Sequence, residues 1–120
     1  MASKGIEAFL DFLREANTQL NIAVMVEQEA NDKTQDILHR LELQDHAYHE
    51  YAALSKELKA IRKERRNAKD EIACLSPIVE WAQNNQSTVK GLEQLLGVVR
   101  KAERSTEQRI YTPRGKRNGK

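Results

Sequence analysis

Apolar positions recur along this chain in steps of three and four, the period of an α-helix with one buried face. The most sustained instance runs from Tyr51 to Leu75, where Tyr51, Leu54, Leu58, Ile61, Ala68, Ile72 and Leu75 share a stripe. Arg65 is the one charged residue on it, and Lys56, Lys59, Arg62, Lys63, Arg66 and Lys69 fall opposite. A second stripe, over about 3–43, comprises Ile6, Leu10, Leu13, Leu20, Val24, Leu38 and Leu41, with Phe9, Ala16, Ala23 and Ile37 beside it. Its register also carries Asn17, Glu27, Asn31 and Thr34. Asn17 and Asn31 lie two heptads apart, where a buried amide fixes register or oligomeric state at a cost in stability. The plainer expectation is a loosely packed, partly wet mid-section.

The punctuation between stripes predicts four helices. Ser3 is placed to cap the first, over 3–43. Residues 44–48, QDHAY, form the reversal, with Asp45 as N-cap of a helix over 46–75. Folding there sets Leu38 against Tyr51, Leu20 against Ala68 or Lys69, and Leu13 against Leu75, an αα-hairpin. Ser76-Pro77 is expected to stop the second helix, because proline lacks a donor and clashes with the preceding turn. A short helix over 77–84 then carries Trp81 as a packing anchor, and Ser87 caps a last helix over 88–109. Val89, Leu92, Leu95, Leu96, Val99 and Ala102 give that helix its apolar face. Gly91 and Gly97 each weaken it by up to about 1 kcal/mol, unless they serve close approach to a neighbour. Residues 110–120, with Pro113 and two glycines, read as a flexible basic tail. The expectation is an all-α fold in which residues 1–109 form a single domain, packed as a coiled coil or helical bundle. Two helices cover only one face of each other, so a third segment or a second chain has to cover the rest.

Composition narrows the class further. Six aromatic residues, two prolines and 32% charged residues suit long helices rather than a sheet-based core. No segment approaches the roughly 20 apolar residues of a membrane span, the N-terminal stretch lacks a secretory signal's apolar core, and Cys74 is the single cysteine. A cytoplasmic location is expected. The net charge of +2 conceals an asymmetry: residues 1–50 hold ten acids and four Lys/Arg, residues 51–120 eight acids and sixteen Lys/Arg. Opposite charges would then flank an antiparallel seam, although exposed pairs contribute only about 0–1 kcal/mol each.

Candidate chemistry is sparse. His39, His46 and His49 have acids nearby, but zinc needs three or four ligands in closed geometry, and no second cluster completes one. No nucleophile elbow or phosphate loop is present, so no enzyme activity, cofactor, metal or small-molecule substrate is expected. The basic patch is the main polar candidate: Arg62, Lys63, Arg66 and Lys69, with Arg114, Lys116 and Arg117 of the tail, are the expected contacts to a nucleic acid. Glu64, Asp70 and Glu71 interleave with the patch, and no aromatic platform accompanies it.

The segments LHRLELQD (38–45) and IRKERRNAKD (61–70), the later Pro77 and the closing IYTPR (110–114) carry a family likeness. With them the chain resembles small, uncharacterised helical proteins of Gram-positive phages and prophages. That resemblance implies an accessory protein acting in a bacterial cytoplasm, and it transfers no functional residue. The leading expectation is a non-enzymatic interaction or adaptor module working through a rigid helical surface. It would form a homo-oligomer or bind another helical protein, with Leu20, Val24, Leu58, Ile61 and Trp81 as packing or interface residues. The alternative is a nucleic-acid-binding accessory protein.

Overall fold

The computed structural model describes residues 1–111, with side chains described as far as Gln108. The fold is all-α: α1 spans Ala2–Leu43, α2 Tyr48–Asn84 and α3 Gln86–Tyr111. The chain divides into two compact units, Glu15–Trp81 and Met1–Arg14 with Ala82 onward.

The 15–81 unit is an antiparallel hairpin of α1 and α2. Its core is a heptad line on each helix: Ala16, Ala23, Ala30 and Ile37 on α1, and Leu54, Ile61 and Ala68 on α2, all buried. Ala30, Ile37, Leu54 and Ile61 form one cluster, and Leu41 and Leu58 pack against it. The α1 face is therefore rotated by one position from the stripe that its larger side chains marked. Val24 is 49% exposed, Asn17 is exposed, and Asn31 and Leu38 are half-buried. Burying the alanine line brings small side chains to the seam and spares the hairpin two amides that would need partners. Neither Asn17 nor Asn31 is the buried register-setting amide.

The reversal is also built differently. Residues 44–47 separate the helices, and α2 starts after Ala47, whose carbonyl accepts the N–H groups of Glu50 (2.9 Å) and Tyr51 (3.1 Å). The N-cap is thus Ala47 rather than Asp45. Glu50 completes half of a capping box by accepting the Ala47 N–H at 3.2 Å. His46 turns inward, its side chain 7% exposed; Nε2 lies 2.9 Å from the Arg40 carbonyl and Nδ1 3.4 Å from Glu50. The Tyr51 ring meets the imidazole edge-on at 5.2 Å, and its hydroxyl accepts the His46 N–H. Tyr51 thereby locks the turn.

Pro77 does not end α2. The helix continues through it to Asn84, so the expected helices over 46–75 and 77–84 are one element. The Ser76 hydroxyl donates to the Ile72 carbonyl at 2.6 Å, a serine back-bond within the turn that precedes the proline. Val79 is buried two residues later, with Leu75 and Ile78 half-buried, and this packing holds the helical path. Asn85, a favoured cap residue, stands before α3 and accepts the Val89 N–H at 3.0 Å, displacing Ser87 from that role.

The second unit pairs α1 as far as Arg14 with α3, antiparallel. Leu10, Leu13 and Leu96 are buried, with Ile6, Leu92 and Val99 half-buried. Ser3 departs from its expected role too: it lies inside α1 and is buried, so it does not cap the helix from outside. Its N–H and hydroxyl both donate to the Glu103 carboxylate, at 3.2 and 2.6 Å. An acid from α3 thus satisfies an orphan donor at the positive end of α1. These two bonds, hydroxyl first, hold the Glu103 carboxyl below its ordinary 4.5. The last helix extends to Tyr111, two residues past its expected end, and the remainder of the expected tail lies outside the described residues.

Two predictions follow from this packing. Ile61→Ala should cost about 2–5 kcal/mol in urea unfolding, whereas Val24→Ala should stay within about 0.5 kcal/mol; a large cost at Val24 would restore the other register. Glu50 is likewise held below 4.5, first by the Ala47 N–H and then by His46. For both lowered carboxyls the added stability is complete above the unfolded value and is lost as pH falls through the folded one. The urea midpoint should therefore drop between pH 6 and pH 3, and less steeply in a Glu50→Gln, Glu103→Gln variant.

Candidate functional site

Two surfaces stand out, one on each unit. In the 15–81 unit an open groove runs between α1 and α2. On the α2 side it is lined by Lys59, Arg62, Lys63, Arg65, Arg66 and Lys69, with Asp70 the one acid. Asn31, Thr34, Gln35 and Leu38 line the α1 side. Among the described residues none of the six cations forms an ion pair.

Heptad arithmetic explains why the interleaved acids leave the groove cationic. Glu57, Glu64 and Glu71 recur every seventh residue, on the flank of the α2 core line away from Arg62 and Lys69. None of these three acids lines the groove. On α1 the matching edge reads Asn17, Asn21, Val24, Gln28, Asn31, Gln35 and Leu38, with no charge. Glu27, half-buried, lies on the adjoining line of Thr34, and none of the ten acids of the first fifty residues lines the groove. Arg65 sits on a core line whose other members are Leu58, Ile72 and Val79, and it is half-buried. Its stem packs while its head reaches the groove, and its buried Nε meets no acceptor among the described residues.

The structure thus brings together Arg62, Lys63, Arg66 and Lys69, with Arg65 of the same basic run, and adds Lys59. Arg114, Lys116 and Arg117 lie outside the described residues. The strict sevenfold spacing of the acids was the signal that would have identified a segregated edge from sequence alone.

The other unit has two unlike flanks. On one, Glu7 pairs with Arg100, and Arg14 reaches Glu93 at 4.0 Å. Those contacts fix which flank of each helix faces the same way. The opposite flank carries Gly5, Ala8, Phe9 and Phe12 from α1, and Gly91, Leu95, Val98 and Ala102 from α3. Phe9, Phe12, Leu95 and Val98 are 41%, 50%, 45% and 65% exposed. Among the residues with described side chains, no charge interrupts this flank. A Cβ at Gly5 or Gly91 would meet nothing within 4 Å, so neither glycine is required by packing within the chain.

The expected packing residues divide between roles. Ile61 is buried and Leu58 packs against the cluster, so both belong to the hairpin core. Leu20 is half-buried, whereas Val24 and Trp81 are exposed, Trp81 by 42%. Among the described residues no group of three or more His, Cys, Asp and Glu side chains is arranged to hold a metal ion, and no helix is long and apolar enough to cross a membrane. No family model, curated protein or solved structure matches the chain.

Proposed function

We propose that this chain is a non-enzymatic interaction module that docks helical partners through a preformed helical surface, with a second copy of itself as the first partner. The observation behind this reading is the uncharged flank formed by Phe9, Phe12, Leu95 and Val98. Two paired helices leave that flank half-covered. Closing it against another uncharged helical face buries apolar area, at about 25 cal/mol per Å², without desolvating a charge. The same flank on a second copy meets this condition, giving an isologous contact in which each copy offers one surface. Gly5 and Gly91 suit this reading, because each lowers the local surface where another backbone would approach. The resemblance to phage and prophage proteins suggests a bacterial cytoplasm as the setting and an accessory role there.

Sedimentation equilibrium of the full chain tests the proposal. The wild type should show dimer mass with a concentration-dependent transition, and Phe12→Asp with Val98→Asp should shift it to monomer with unchanged helicity. A wild type that stays monomeric at about 100 µM, where even a contact of roughly 5.5 kcal/mol is half-populated, overturns self-association.

A further inference from the structure

The groove of the 15–81 unit has a different chemistry, and it does not depend on the docking flank. We infer that it binds a nucleic acid through its phosphate backbone, with one duplex strand tracking α2 from Lys59 to Lys69.

Length is the first argument. Ten residues of α-helix advance about 15 Å, with cations on successive turns about 5.4 Å apart. Along a strand successive phosphates stand farther apart than the ~3.4 Å axial rise, close to one turn of α-helix, so the groove spans about three of them. The cations cover that whole distance: Lys59 stands at one end, Arg62, Lys63 and Arg66 in the middle, and Lys69 at the other.

Charge segregation is the second. A solvated helix face ordinarily mixes its signs, and α2 does contain acids in this stretch. Glu57, Glu64 and Glu71 are nevertheless held on the far flank by their sevenfold spacing, and α1 presents amides rather than carboxylates. Asn31 and Gln35 supply neutral donors along the same wall, suited to phosphate and sugar oxygens. Asp70 opposes the anion only at the Lys69 end.

Arg65 is the third. Its guanidinium is carried on a core position and its Nε is shut off from solvent with no described acceptor, although the groove opens beside it. A phosphate in the groove would meet the Arg65 guanidinium from its open side, a charge-assisted contact of the kind arginine favours. Leu38 is the one apolar side chain in the lining, and no aromatic ring is present to stack a base. Recognition is therefore of the backbone and independent of sequence.

The test is fluorescence anisotropy of a labelled 20-base-pair duplex with the full chain, titrated with salt at pH 7. Three phosphate contacts predict a log–log slope of about −2.7. Arg62→Gln with Arg66→Gln should reduce its magnitude by about 2. Lys33→Gln with Arg40→Gln removes the same net charge from exposed positions outside the groove and should leave the slope unchanged, with helicity by circular dichroism equal in all three proteins. Equal losses for the two double variants would overturn the proposal, since binding would then follow net charge alone. No binding by micromolar wild type at low salt would overturn it too. Tighter binding of poly-glutamate than of the duplex at matched charge would assign the groove to acidic proteins instead and would also overturn it.

Discussion

Every surface of the 15–81 unit depends on which line of α1 faces α2. Ala16, Ala23 and Ala30 occupy that line, and their small side chains let α2 set the contact with Leu54 and Ile61. Rotating α1 by one position would bring Val24, Asn31 and Leu38 inward. Two consequences would follow: an amide would need a partner in the seam, and the uncharged wall of the groove would be lost. The same packing that stabilises the hairpin thus places Asn31 and Gln35 beside the cations of α2.

Much of this architecture was legible in the sequence. Three-four spacing identified the long helices, and the polar run around Asp45 placed the reversal to within a few residues. The α1 track was not legible, because hydrophobicity ranks Val24 and Leu38 above alanine while close helix approach favours the smaller side chain. Pro77 also read as a boundary. A proline's local penalty of about 3 kcal/mol is visible in sequence, whereas burial of Val79 beyond it comes from the folded chain.

The partnership of Ser3 and Glu103 shows a different limit. A serine near a helix start reads as its own cap, and nothing local indicates an acid a hundred residues away. The groove lay between these extremes. Its cations were conspicuous, but the acids among them in sequence obscured their separation in space. Only the core line on α2 shows that Glu64 and Arg62 sit on opposite flanks. Arg65, the single charge on an apolar stripe, was visible as an exception; its place on the groove came only with the folded chain.

The register of the hairpin is therefore the point on which the account stands, and disulfide trapping reads it most directly. In a Cys74→Ser background, cysteines replacing Ala30 and Ile61 should close rapidly within the monomer under mild oxidant, while cysteines replacing Leu38 and Tyr51 should stay reduced. Rapid closure of the Leu38–Tyr51 pair with a slow Ala30–Ile61 pair would contradict the alanine-line core, and the segregated cationic edge with it.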